Sequence, residues 1–442
     1  MTRIAMVYPS RVKETMGEEL LYSPLALGYL ARHTPDNYAI TLYDEYVGEN
    51  FNPDSVVADI VAVSAITPGI TRAYELGDRL KKRGIKTIIG GAHVTALPDE
   101  ALLHYDSVCQ GEGERPWREF LKDFEKGTMK KIYFGPMDVP LDDLGTPKRE
   151  MCHPNYQYPS LLTSRGCPYS CTFCYLTVFK QRKYRTIPHV SILEDMDNLK
   201  NKDLIIVTDE NFIGYSGSDF EDRKILLEKM IRKNYKFLWG CQSTTTLASQ
   251  PELMDLMYRA GCRAVFIGFE SIGDDGLKLI RKDHNIGLDY TQTISNLHKH
   301  NLAVIASTII GLDTHTKDYP KKLIGELKKA KADFPRVFFA TAWPGTPFFK
   351  SLEKEGRASH NWDEVRKDIP SIKFKYFTKE EAIAARKEIL DAFFNISYMF
   401  RLFRIWVFKE RSLFLMYIKM SVRHKIAEVL KKRRKCSGTK KK

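Results

Sequence analysis

Three cysteines stand within eight residues of one another in the segment Ser164-Arg165-Gly166-Cys167-Pro168-Tyr169-Ser170-Cys171-Thr172-Phe173-Cys174-Tyr175, spaced C-x3-C-x2-C directly after a strand-like run. Three thiolates so close on one loop can converge on a single inorganic cluster. A four-iron cluster held by three protein ligands keeps one iron open, and an open position on a metal centre marks chemistry rather than scaffolding. Gly166 and Pro168 let the loop fold sharply around such a group. A zinc site completed by Cys152 or His153 is the competing arrangement, but structural zinc sites usually come as two separated ligand pairs. The other five of the eight cysteines, at 109, 152, 241, 262 and 436, are scattered and read as small buried or surface thiols.

The elements that must position this loop follow from the periodicity. Residues 1–125 alternate apolar strands, at Ile4–Tyr8, Ile40–Tyr43, Ile60–Ala65, Thr87–Ile89 and Ser107–Gln110, with helical patterns such as Leu25–Ala31, Thr71–Lys82 and Trp117–Lys126. Apolar strands between helices predict a parallel sheet covered on both faces, a doubly wound α/β domain that binds ligands beyond the carboxyl ends of its strands. Residues 126–160 are punctuated by proline and glycine and read as a linker. Residues 161–350 alternate again, with strands expected at Leu161–Thr163, Leu204–Thr208, Phe237–Gln242, Ala264–Phe269, Ala303–Ile310 and Val337–Thr341 and helices at Asp222–Lys233, Pro251–Ala260 and Asp289–His298. Six such units in series predict a partial (β/α)6 barrel of TIM type, with the cysteines on the loop after its first strand. A helical extension over 351–400 and a basic, aromatic-rich tail over 401–442 complete the reading, with 378–435 helical throughout.

The cysteine segment, with Phe173 before its last member, resembles the signature of the radical S-adenosylmethionine superfamily. The resemblance implies a [4Fe-4S] cluster on Cys167, Cys171 and Cys174 whose open iron chelates S-adenosylmethionine, reductive cleavage to a 5′-deoxyadenosyl radical, and an electron donor such as flavodoxin or ferredoxin. Segments at successive strand ends match it residue by residue. Thr208-Asp209-Glu210 stands where the family binds the methionine amino group, implicating Asp209 and Glu210. Gly268-Phe269-Glu270-Ser271 stands where ribose and carboxylate contacts are usual, implicating Gly268, Glu270 and Ser271. Ser307–Leu312 lies near the adenine, implicating Gly311, and Trp343-Pro344-Gly345-Thr346-Pro347 resembles the family's Pro-Gly-Thr turn, implicating Pro344. The fifth-strand segment departs from the pattern, carrying Asp313-Thr314-His315 where Pro-Gly-Glu often follows.

The N-terminal domain is similar to the cobalamin-binding module of one subgroup. The residues that carry this likeness are Asp44, Ser64 to Thr67, Gly90-Gly91-Ala92-His93 and Gly111-Glu112-Gly113-Glu114, which makes Asp44, Ser64, Thr67, Gly90, Gly91, Gly111 and Glu112 candidate cobalamin contacts. Adjacent glycines after a strand let the backbone approach a bulky planar ligand. Where modules that ligate cobalt from below carry D-x-H-x-x-G, this chain reads Asp44-Glu45-Tyr46-Val47-Gly48, so no histidine ligand comes from that position. The subgroup implies methyl transfer to an unactivated carbon. The related tetrapyrrole enzymes, resembling the anaerobic magnesium-protoporphyrin ester cyclase or the bacteriochlorophyll side-chain methylases, are the alternative. A tRNA methylthiotransferase would carry three further cysteines in its N-terminal domain, and only Cys109 precedes residue 150. A non-catalytic cobalamin sensor would need neither an open iron nor carboxylates at strand ends.

The net charge of +14 belongs to the tail. Residues 401–442 hold fifteen Lys/Arg against two acidic residues, leaving 54 against 53 elsewhere. Aromatic and aliphatic bulk beside these cations suits a helix lying on an anionic membrane surface, which points to a lipid or isoprenoid-type substrate; packing on the barrel and phosphate binding to RNA are the rival readings of the tail, and a nucleic-acid partner is the least favoured. The start runs straight into a strand pattern with no secretion signal, and no long uncharged apolar run follows, so a cytoplasmic protein is expected, peripheral to the inner membrane face if the tail binds lipid.

Overall fold

The computed structural model describes residues 1–10, 22–179, 183–395, 397, 398 and 400; the basic tail lies outside the described residues. The N-terminal half forms an all-parallel sheet of six strands in the order β2-β1-β3-β4-β5-β6, with β1 at Thr2–Tyr8, β2 at Tyr38–Asp44, β3 at Ile60–Ser64, β4 at Lys86–Gly90, β5 at Ser107–Gly111 and β6 at Ile132–Gly135. The run Ile4-Ala5-Met6-Val7-Tyr8 of the central strand is wholly buried because helices cover both faces, as a parallel sheet requires. The helix Ile70–Lys82 contributes Ile70, Ala73, Leu76 and Leu80 to one side, and Glu114–Lys126 contributes Trp117, Phe120 and Leu121 to the other. Each set closes its own apolar cluster. The strand β6 falls in the segment read as linker. It is a four-residue edge strand with Ile132 and Phe134 exposed, and its apolar run of three, Ile132-Tyr133-Phe134, is too short to mark a central strand.

The second half is a parallel sheet curved into an open barrel, in the order β7-β10-β11-β12-β13-β14. Its strands are β7 at Ser160–Leu161, then β10 at Leu204–Val207, β11 at Leu238–Ser243, β12 at Cys262–Glu270, β13 at Ala303–Ile310 and β14 at Phe334–Phe339. A short antiparallel hairpin, β8 at Ser164–Arg165 and β9 at Arg185–Thr186, brackets the cysteine loop. The lining of the barrel and its outer helices merge into one large core that includes Phe237, Trp239, Phe269 and Leu323. Gly261 sits at φ +100, where a side chain would collide with the Phe237 carbonyl at 2.9 Å. The helix Lys379–Asp391, opened by a capping box between Thr378 and Glu381, packs on this core; the rest of the helical stretch expected over 378–435 lies largely outside the described residues.

The two halves are stitched together. Ser23 exchanges backbone and side-chain hydrogen bonds with Ser160 at the start of β7, and Arg149 makes a bidentate ion pair with the buried Asp195. Trp362, from the C-terminal extension, donates to Glu100 and meets the ring of His93 in the N-terminal domain. Among the described residues no helix is long and apolar enough to cross a membrane.

Candidate active site

The cysteine loop leaves β7 under tight control. Asp209, at the end of β10 and fully buried, accepts from the Thr163 amide at 2.7 Å and from the hydroxyls of Thr163 and Ser164. Gly166 then takes φ +95, a conformation that favours glycine, and its amide donates to Glu210 at 3.2 Å. Further along, the Thr172 amide donates to the Ile280 carbonyl at 2.9 Å, the Thr172 carbonyl accepts from the Phe348 amide at 3.0 Å, and Tyr169 stacks on His284 at 3.7 Å. The loop is thereby clamped between the segments that follow β12 and β14.

The three thiols lie close enough for their charges to act on one another. Burial pushes all three up, Cys167 to about 11 and Cys174 to about 12, and Lys282 pulls each of them back. A bare thiolate is disfavoured here, so a metal that displaces the thiol protons is what makes the site chemically reasonable. Among the described residues no three His, Cys, Asp or Glu side chains sit close enough to share one metal ion. A cubane places each cysteine on a different iron, so the three sulfurs fit a cluster better than they fit a single zinc. The proposed zinc partners point elsewhere: His153 pairs with Glu49 and Cys152 is turned toward Ser23 and Arg149.

The barrel residues singled out in the sequence divide into two groups. Glu210 borders the site and Glu270, at φ +65 on a bulge in β12, forms a buried ion pair with Lys282 at 3.4 Å. Gly268 leaves room for that pair, since a side chain there would come within 2.4 Å of the Glu270 carboxylate. Ser271 bonds His315 at 3.0 Å, so the histidine that departs from the family pattern is spent on the β12 end; burial drops its pKa to about 3, and it stacks on Tyr319 at 3.5 Å. Asp209 and Gly311, expected as cofactor contacts, are also engaged within the fold. Asp209 gives its oxygens to Thr163 and Ser164 and braces the cysteine loop. Gly311, at φ +94, has its open side filled by the ring of Phe374 at 2.3 Å from where a Cβ would stand. Pro344 is buried in a turn whose Gly345 abuts Ala96 and Val178, so this turn packs against the N-terminal domain.

Between the two sheets lies a cavity of about 360 Å³. Ser64, Gly90, Gly91, Gly111 and Glu112 line it from the carboxyl ends of β3, β4 and β5, and Arg165, Tyr175, Thr208 and Glu210 line it from the barrel. Asp44 and Thr67 do not reach it. Asp44 is buried and accepts from the Tyr46 amide and, at 2.6 Å, from the hydroxyl of Tyr156, which makes it a latch between domains; Thr67 bonds the ring of His93. The glycines also have a reason within the fold itself. A Cβ at Gly91 would stand 2.3 Å from the Ala65 carbonyl and one at Gly111 would stand 2.2 Å from the Gly135 carbonyl, so neighbouring backbone already forbids a side chain, and the cavity wall is bare as a result. Arg165 bridges Glu114 at 2.6 Å and Glu112 at 3.2 Å, while Arg185 pairs with Glu112 from the other side. Burial alone would push Glu114 up, but Arg165 outweighs it and holds the carboxyl below its usual range. Sequence reasoning passed over Arg165, although it adjoins Gly166-Cys167, and Lys282, which no motif marked.

Three comparisons bear on this geometry. The family model described as Radical SAM superfamily matches residues 161–327, and that described as B12 binding domain matches residues 21–121. The bacteriochlorophyllide d C-12(1)-methyltransferase of Chlorobaculum tepidum is 32% identical over 77% of this chain and 75% of its own length. The hopanoid C-2 methylase of Rhodopseudomonas palustris is 24% identical over 76% and 66%. The radical S-adenosylmethionine methyltransferase TsrM from Kitasatospora setae, solved with tryptophan and an S-adenosylmethionine analogue, superposes with a TM-score of 0.69 at 14% identity over 89% of each chain.

Proposed function

The chain belongs to the radical S-adenosylmethionine superfamily, in the branch that carries a B12-binding domain, and from that premise we propose that it is a methyltransferase acting on a carbon of a large apolar ring system. Its cofactors are a [4Fe-4S] cluster, S-adenosylmethionine and cobalamin. When bound, they supply a reductively generated 5′-deoxyadenosyl radical and a transferable methyl group. Cys167, Cys171 and Cys174 would hold the cluster, with Glu210, Glu270 and Lys282 around it as the polar groups available to S-adenosylmethionine. Gly90, Gly91 and Gly111 offer bare backbone to cobalamin, and Tyr46 contributes no imidazole beneath it. Asp209 and Arg165 hold the loop and the domain ends in register.

The observation that carries this reading is the cavity itself, where the cysteine loop's own Arg165 and Tyr175 meet the glycine-lined ends of β4 and β5. Two cofactor halves facing one space are what a two-cofactor reaction needs. Chlorophyll-type tetrapyrroles are the first substrate class to test, because the relative at 32% identity is named for one and Tyr29, Trp117, Tyr175 and Phe179 give the cavity flat aromatic walls. Isoprenoid lipids are the second, favoured by the hopanoid methylase and by the membrane-suited composition of residues 401–442. Reconstituted, reduced protein should release 5′-deoxyadenosine and S-adenosylhomocysteine with a bacteriochlorophyllide or a hopanoid, and the methylated product identifies the class; absence of 5′-deoxyadenosine under reducing conditions would refute the catalytic reading. Loss of liposome binding on removal of 401–442, with cofactor cleavage retained, tests the lipid reading, and unchanged binding removes its support.

A further inference from the structure

Lys282 lies in the short segment after the helix Asp274–Leu279, a stretch without a recognisable motif, yet it is 8% exposed and its ammonium is locked to the Glu270 carboxylate at 3.4 Å. The segment that carries it is docked on the cysteine loop from both sides: Ile280 accepts the Thr172 amide, and His284 stacks on Tyr169. This holds one buried cation beside the loop that carries Cys167, Cys171 and Cys174. In a low-dielectric pocket a fixed charge acts strongly on a centre that takes up an electron. The net charge around an iron–sulfur cluster is one of the levers that set its potential.

We propose that Lys282 is a positioning and charge-setting residue for the cluster, easing its one-electron reduction, with Glu270 as the carboxylate that fixes and partly offsets that charge. The inference rests on the three-cysteine cluster assignment. An EPR-monitored redox titration of the reconstituted holoenzyme, without substrate, tests it. Lys282→Met should shift the midpoint potential to more negative values, Lys282→Arg should stay near the parent, and Glu270→Gln should move the opposite way, to more positive values. An unmoved midpoint in Lys282→Met at full iron content overturns the proposal, and so does a shift of the Met and Gln variants in the same direction, which would point to solvent entry rather than charge. Should Lys282→Met fail to hold its cluster, the Glu270→Gln titration decides alone: a midpoint that is unchanged or more negative overturns it. A parent protein that binds no iron would instead overturn the cluster assignment, so the two failures are distinguishable.

Discussion

The N-terminal sheet meets the shared cavity with bare backbone, at Gly90, Gly91 and Gly111, whereas the barrel meets it with charged and aromatic side chains, at Arg165, Glu210, Tyr175 and Phe179. On the first side, Gly91 and Gly111 exclude a side chain because the carbonyls of Ala65 and Gly135 already occupy its place, and a Cβ at Gly90 would press on Cys109 at 3.3 Å. At the second, each buried ionisable group has a counterpart or an assigned metal: Glu270 has Lys282, Glu114 has Arg165, and the thiols have the cluster their spacing implies. Shape prepares one side for a wide, flat cofactor, and electrostatics prepares the other for redox chemistry. Changes on the glycine side should therefore act through volume, and changes on the barrel side through charge.

The largest effect should come from Cys171→Ala, which removes one of three cluster ligands; iron content and the visible absorption of the cluster should both collapse, and a variant with full iron would break the ligand assignment. Arg165→Gln comes next, because at the join between the halves it strips the largely buried Glu114 of its guanidinium and leaves Glu112 to Arg185. Removing one partner of such a buried pair costs about 3–5 kcal/mol, read as a fall in chemical-denaturation midpoint, and Arg165→Lys should recover only part of it because the two-carboxylate bridge is lost. Gly91→Ala forces a residue into a backbone region that is nearly glycine-only. It should cost about 1–3 kcal/mol and weaken cobalamin binding while leaving iron content unchanged, a split that sharpens the contrast between the two sides. The smallest effect should be Tyr156→Phe, which deletes the hydrogen bond to Asp44. A loss of about 1 kcal/mol in thermal stability with both cofactors retained is expected, and loss of cobalamin would point to Asp44 as one of its contacts.

Much of the framework was legible because it is local. Ala303–Ile310 reads as a strand from an apolar run interrupted only by Ser307 and Thr308 and is one with those bounds, and the Gly-Gly after Thr87–Ile89 marks the end of β4. The edge strand β6 escaped because its apolar run stops after Ile132-Tyr133-Phe134, and the β8–β9 hairpin escaped because two-residue strands carry no period. At the site, the cysteines were legible as a unit because their chemistry demands their spacing, while Asp209 and Glu210, adjacent carboxylates of the same type, could not be told apart: one braces Thr163 and Ser164, the other borders the cavity.

From its residues alone, this chain determined the order of its strands and helices, the three-thiolate motif and the absence of a histidine in the Asp44–Gly48 loop, because each depends on neighbours a few positions away. Tertiary structure decided which charges meet. Arg165 finds Glu112 and Glu114 some fifty residues earlier, and the segment that carries Lys282 finds the cysteine loop more than a hundred residues earlier. Coulomb interaction in a buried pocket depends on distance in space, and no spacing along the chain encodes it.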